Sequence, residues 1–167
     1  YNKDETRILT WSHDGTARLW DVADGSSIGQ PMNHGRPISG AVFNKAETRI
    51  LTWNGFTNTE STARLWDALD GTPIGQPMKH DDRIYGAVFN NDETRILTWS
   101  VDSTARLWDA TDGSPIGQPM VHDDTIENAV FNNDETRILT WSDDDTSRLW
   151  DATNGLPIGK PMIGGGA

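Results

Sequence analysis

The chain has no cysteine. That absence removes disulfides, thiolate nucleophiles and thiolate metal ligands together, and it fits a cytoplasmic location, where disulfides are rare. Long apolar runs are also missing: nothing approaches the stretch needed to span a bilayer, so no membrane segment is expected. Positive charge is scarce, with 14 Lys and Arg against 25 Asp and Glu and a net charge of −11. Repulsion from phosphates excludes nucleic acid and anionic membrane as expected partners and leaves solubility as the plain effect of the acidity. The start of the chain carries no signal peptide or lipidation motif. With 35% hydrophobic and 23% charged residues, the composition is that of a folded globular chain.

What the chain has is tryptophan and repetition. An Arg-Leu-Trp-Asp phrase recurs four times, at Trp20, Trp66, Trp108 and Trp150. The spacing is 46, 42 and 42 residues, so one unit carries four extra residues. A second tryptophan keeps step: Trp11, Trp99 and Trp141 lie nine residues before their partners, whereas Trp53 lies thirteen before Trp66, which puts the insertion between Trp53 and Trp66. A period of about 40–45 residues with a Trp-Asp signature is the length of one four-stranded propeller blade. Tyr1 aligns with Phe43, Phe89 and Phe131, so by this register the chain begins inside a unit. At the other end Gly164 stands where the next histidine of the repeat would come.

One unit reads as four strands. Ile84 to Phe89 is rich in β-formers and bounded by polar turns. Arg95 to Trp99 and Thr104 to Trp108 flank the turn Ser100 to Ser103, the pattern of a hairpin. Ile116 to Met120 follows Pro115 and contains Pro119, and proline, lacking a donor, belongs on an edge strand. Leu97 and Trp99 lie on one side of their strand and Ile96 and Thr98 on the other, so both faces are apolar and each sheet must be covered by another. Radial stacking meets that need. The expected fold is all-β: a propeller of about four four-stranded antiparallel blades, near 1–32, 33–78, 79–120 and 121–163, the first lacking its innermost strand.

An apolar strand ending in Phe, an Asp-bearing turn and then Ala-Arg-Leu-Trp-Asp resembles the WD-repeat β-propellers, in particular bacterial-type arrays with near-identical blades, and the likeness covers essentially the whole chain. The resemblance implies a buried hydrogen-bonded set of His, Ser or Thr, Asp and Trp. Carried over, it falls on His80, Ser100, Asp102 and Trp108 in the third unit and on His122, Ser142, Asp144 and Trp150 in the fourth. The first unit offers Ser12, Asp14 and Trp20 without a histidine. The second offers His34 and Trp66, with Asn54 in place of Ser and Glu60 in place of Asp, so its network is either rebuilt or absent.

These residues invite other chemistry. His, Ser and Asp suggest a hydrolytic triad, yet they recur at the period of the fold, whereas a triad is a single constellation with one exposed nucleophile and an oxyanion hole. Asp143-Asp144-Asp145 lacks the spacing, the glycine and the bidentate Glu of a calcium loop. His34, His80 and His122, one to a unit, stand too far apart to share a zinc ion, and His13 falls out of register in a turn. No catalytic residue, metal or cofactor is expected.

Subtracting the repeat isolates what function is free to use. Eight of the ten arginines recur in register; Arg36 and Arg83 do not. The irregular residues Arg36, Lys79, Arg83, Val101, Glu127 and Phe56, the last within the inserted stretch, are the candidate partner-binding positions. The resemblance implies a non-enzymatic scaffold whose loops bind protein or peptide. Two alternatives stand beside it: a self-assembling half-propeller that closes as a roughly eight-bladed homodimer, and a small-ligand or glycan binder.

Overall fold

The computed structural model describes residues 1–55 and 60–164. Among the described residues fifteen strands form four sheets. The first holds β1 (Arg7–Trp11), β2 (Thr16–Asp21) and β3 (Ser27–Asn33); the second holds β4 (Ile38–Phe43), β5 (Arg49–Asn54), β6 (Ser61–Asp67) and β7 (Pro73–His80). The third comprises β8 (Ile84–Phe89), β9 (Arg95–Ser100), β10 (Thr104–Asp109) and β11 (Pro115–Val121), and the fourth β12 (Ile126–Phe131), β13 (Arg137–Ser142), β14 (Thr146–Asp151) and the short β15 (Met162–Ile163). Strands follow in chain order within each sheet and every neighbouring pair is antiparallel. Among the described residues nothing pairs with the inner edge of β1, so the first sheet has three strands. The architecture is all-β, four stacked blades of which the first lacks its innermost strand.

The strand sequences explain the pairing. In β9 and β10 the register sets Leu97 opposite Leu107 and Ile96 opposite Trp108, and such cross-strand pairs are the unit of sheet stabilisation. A bulge at Ile84/Gly86 turns the inner strand so that Gly86 sits opposite Trp99. A Cβ at Gly86 would collide with the Trp99 ring, so glycine is required for the indole to lie flat across the inner strand. The prolines of β3, β7 and β11 lie in the outermost strands, which pair on one side only.

The core is not inside any blade but between blades. Leu97, Ala105, Leu107 and Met120 of the third sheet pack against Ile126, Ala129, Ile138, Trp150 and Ala152 of the fourth, all nearly free of solvent. The second and third sheets repeat this with Leu51, Ala63, Leu65 and Met78 against Ile84, Ala87, Ile96, Trp108 and Ala110. Burying one such aliphatic side chain stabilises by roughly 1.5–3 kcal/mol, so a blade owes its stability to the neighbour that covers it.

Polar latches reinforce each junction. After each inner strand a Glu turns back in the left-handed region, Glu47 at φ 57°, Glu93 at 61° and Glu135 at 57°, a conformation uncommon for a non-glycine residue. There its carboxylate reaches the preceding blade. Glu47 accepts from the Asn2 side chain at 2.9 Å and from the Lys3 N–H, and pairs with Arg7 at 3.2 Å. Glu93 accepts from Asn44 and Ala46 N–H, and Glu135 from Asn90 and Asn91 N–H. At the rim Gln30, Gln76 and Gln118 donate backbone N–H bonds to the carbonyls of Asp70, Asp112 and Asn154 on the next sheet.

Candidate functional site

The polar chemistry gathers where the last residue of one blade enters the next. His80 ends β7 of the second sheet, yet its ring binds groups of the third. Trp108 Nε1–H donates to Thr98 Oγ1 at 2.8 Å, Thr98 Oγ1 lies 2.7 Å from His80 Nε2, and His80 Nδ1 lies 2.8 Å from Asp102 Oδ2. The Thr98 oxygen, having accepted from the indole, turns its own proton to Nε2. The imidazole is therefore neutral and carries its proton on Nδ1, where it donates to the carboxylate. Asp102 also accepts from Thr104 Oγ1 and from the Asp81 N–H. His122, Thr140, Asp144 and Trp150 repeat the arrangement at the next junction, with distances of 2.7, 2.9 and 2.8 Å.

Burial decides what these sets can do. The side chains of His80 and His122 are fully shielded and those of Asp102 and Asp144 are 6% and 5% exposed. Removal from water lowers the pKa of both histidines despite the neighbouring carboxylates. Burial works to raise the two aspartates, but hydrogen bonds from the histidine, threonine and backbone hold them well below the ordinary carboxylate range. An imidazole closed off from solvent, with both nitrogens bonded, offers no base to a substrate; the set is a clasp between blades.

The hydroxyl between indole and imidazole is Thr98 rather than Ser100, and Thr140 rather than Ser142. Ser100 and Ser142 lie at the end of their strands, accept from the Asp102 and Asp144 N–H groups and donate to the Asp82 and Asp124 carbonyls. They fix the turn that aims the aspartate. The missed threonine carries a signal in the sequence: Thr10, Thr52, Thr98 and Thr140 stand one residue before the first tryptophan in all four units.

The second unit rebuilds its network. Trp66 Nε1–H donates to Thr52 Oγ1 at 2.8 Å and Thr52 Oγ1 lies 2.9 Å from Nδ1 of His34, not Nε2. The ring is turned over, and its Nε2 meets Asn54 Oδ1 at 3.2 Å and Thr62 Oγ1 at 2.9 Å. Asn54 and the Thr62 carbonyl, at 3.1 Å, thus supply the acceptors that aspartate supplies elsewhere, while Glu60 is exposed and pairs with Lys79 at 3.2 Å. Burial first, then the Arg64 charge, lowers the His34 pKa from 6.5 to about 4.

In the first sheet Trp20 Nε1–H still donates to Thr10 Oγ1 at 2.8 Å, in the open. Asp14 accepts from both the N–H and the hydroxyl of Thr16 and is held on its turn, with Ser12 accepting from the Asp14 N–H.

The irregular residues fall in different places. Arg36 and Arg83 lie in the loops entering β4 and β8, Arg36 exposed and Arg83 half-buried. Val101 occupies the β9–β10 hairpin beside Arg83, its N–H bonded to the Arg83 carbonyl at 2.9 Å. Glu127 projects from the inner strand β12 and is exposed. Lys79 belongs elsewhere: it sits on the outer strand β7, held by Glu60. Phe56 lies outside the described residues. Tyr85, 42% exposed on β8, occupies the inner-strand position that holds Ser39 and Glu127 in the other units, so the irregularity that singles out Glu127 also marks Tyr85. Exposed Val42, Val88 and Val130 recur along the same inner strands, and clefts of about 380 and 290 Å³ open between successive inner strands beside Phe43, Phe89 and Phe131. Among the described residues no cluster of side chains suited to a metal ion occurs.

Residues 71–109 match the family model of the WD domain, G-beta repeat; they run from the rim turn at Gly71 through β10. No curated protein matches the chain in sequence. Among solved structures the chain is similar to the computationally designed Ika8 protein, with a TM-score of 0.77 and 18% identity over 96% of this chain. It spans 47% of that protein's length, and the likeness bears on the fold alone. One unit fits that family's model, three more repeat its residues in step, and the four stacked sheets give the chain the fold of a β-propeller.

Proposed function

We propose that the chain is a non-enzymatic scaffold that binds a protein or peptide on the inner strands and the loops entering them. One observation carries this reading: the repeated polar residues are spent on holding blades together, whereas the residues that differ between units, Arg36, Arg83, Tyr85 and Glu127, lie on one region of loops and inner strands. The match of residues 71–109 to the WD-repeat model supports it, since WD repeats generally mediate protein interaction and are generally not enzymes. A mixed patch with two cations, an aromatic and a carboxylate suits a peptide better than a glycan, because Tyr and Arg are the side chains that anchor protein interfaces. The buried His–Asp pairs support the non-enzymatic reading, as neither imidazole reaches solvent.

Peptides selected from a displayed random library against the chain provide the test. Binding of the selected peptides should fall by roughly tenfold or more on Arg83→Ala or Tyr85→Ala, as for an interface anchor, with the melting temperature unchanged. Selected peptides that ignore Arg36→Ala, Arg83→Ala, Tyr85→Ala and Glu127→Ala alike would place binding on another surface.

A further inference from the structure

The repeat sets an arginine beside each complete clasp, and in the second blade that arginine has lost its partners. Arg106 is held by the Lys79 carbonyl at 3.1 Å, by Thr104 Oγ1 at 3.1 Å and by Asp102 at 3.7 Å. Arg148 repeats this with the Val121 carbonyl, Thr146 and Asp144, and adds Asp123 at 3.3 Å. The matching residue of the second blade is Arg64, half-buried on β6. Among the described residues it makes no ion pair, and its buried Nε–H has no acceptor. Two exchanges in that unit account for the loss. Asn54 bonds the His34 ring without bringing a charge, and the Glu60 carboxylate is exposed and pairs with Lys79.

The entering loops carry the same contrast. After the clasp histidine the third unit reads Asp81-Asp82 and the fourth Asp123-Asp124, but the second reads Gly35-Arg36, with Arg36 exposed. Arg83 adds a third guanidinium. Its stem lies over Gly55, where a Cβ would meet Arg83 Cγ at 2.9 Å, and Gly55 follows the Asn54 that bonds His34. The nearby acids are engaged: Asp82 accepts from the Arg83 N–H at 2.7 Å, and Asp14, on the preceding hairpin, accepts from Thr16. The buried histidines register the difference. The Asp102 and Asp81 charges work to raise the His80 pKa against burial, whereas at His34 the Arg64 charge adds to the lowering by burial. On a chain of net charge −11, one clasp is flanked by arginines and holds no carboxylate.

We propose that this side of the second blade binds an acidic segment of a partner protein, one Asp or Glu carboxylate resting on Arg64 as Asp102 and Asp144 rest on Arg106 and Arg148, with Arg36 and Arg83 receiving the flanking acids. The site belongs to the binding face proposed above and rests on that reading; it adds the chemistry that the face selects. The sister junctions favour a carboxylate over a phosphate, because a carboxylate is what the same arginine holds there. A planar guanidinium matches a carboxylate with parallel N–H···O bonds, and a half-buried pair is screened by salt less than a surface one. The rest of this acidic chain repels such a segment, so attraction at the three arginines sets where it docks as well as what is chosen.

Peptides that the chain selects from the displayed library should be enriched in Asp and Glu, and exchanging those residues for Asn and Gln should weaken binding roughly tenfold or more. Arg64→Gln and Arg36→Asp should each weaken the acidic peptides by about tenfold. Arg36→Asp installs the acid that the third and fourth units carry there, at an exposed position, so the melting temperature should not change. Arg106→Gln is the control: its guanidinium is already held by Asp102 and the Lys79 carbonyl, and binding below the melting temperature of the variant should stay as it was. Peptides that bind through Arg83 and Tyr85 yet lose nothing when their acids are exchanged overturn the acidic specificity and leave the binding face standing, whereas peptides that ignore the whole face overturn both. Binding indifferent to both Arg64→Gln and Arg36→Asp also overturns the proposal. Displacement of the acidic peptides by inorganic phosphate, at an ionic strength where chloride displaces none, would assign the arginines to phosphate and overturn the carboxylate.

Discussion

The junction between the first and second blades and the junction between the second and third use the same tryptophan, threonine and histidine but different acceptors. At the second, a carboxylate takes the Nδ1 proton of His80. At the first, the ring of His34 is reversed and its Nε2 faces the neutral oxygens of Asn54 and Thr62. The difference teaches that the invariant part of the clasp is the Trp–Thr–His chain, while the far acceptor is replaceable by any oxygen that the local hairpin can deliver. A carboxylate on the turn after β9 serves when that hairpin is short. The insertion lengthens the corresponding hairpin of the second blade, and the acceptor moves back onto the strand itself.

Breaking the invariant part should have the largest effect. Thr98→Val keeps the shape but leaves the Trp108 N–H and His80 Nε2 both buried and unpaired, at a cost of about 3–4 kcal/mol given roughly 1–3 for each group. Urea unfolding reads this directly, and Thr10→Val is the control: the Trp20 N–H is open to water, so its loss should cost under about 1 kcal/mol. Equal losses at the two positions would deny that burial of the clasp is what makes it count.

Acid sharpens the same contrast. His34 titrates near 4 in the folded protein against 6.5 unfolded, so between these pH values the unfolded chain holds the extra proton and stability rises with pH. Stability is complete above pH 6.5 and falls as the pH drops toward 4, by about 3 kcal/mol from this residue. Asn54→Asp places a carboxylate against the same ring, raises its pKa and should reduce the loss between pH 7 and 5 by about 1 kcal/mol or more. A variant with an unchanged acid profile would show that the acceptor does not govern the histidine.

The repeat made the blade order, the strand limits and the incomplete first blade legible, because apolar alternation and turn residues are local signals. The clasp was legible in its histidine, aspartate and tryptophan but not in its hydroxyl. Thr98 and Ser100 point to the same side of one strand, and only the register, which sets Thr98 beside the indole of Trp108 and Ser100 at the strand end, decides between them. The glutamate latch was hidden for a different reason. Glu47 lies in one unit and Asn2 and Arg7 in another, so a reading within units cannot pair them. Tyr85 carries the same sequence signal as Glu127, since both stand at the inner-strand position that holds Ser39 in the second unit.

Nitrogen NMR of the ring-labelled histidines at neutral pH tests most directly whether the clasps are closed, neutral and built in two ways. His80 and His122 should carry their proton on Nδ1 and His34 on Nε2, with none of the three charged. One tautomer for all three, or an imidazolium at any of them, would contradict the account.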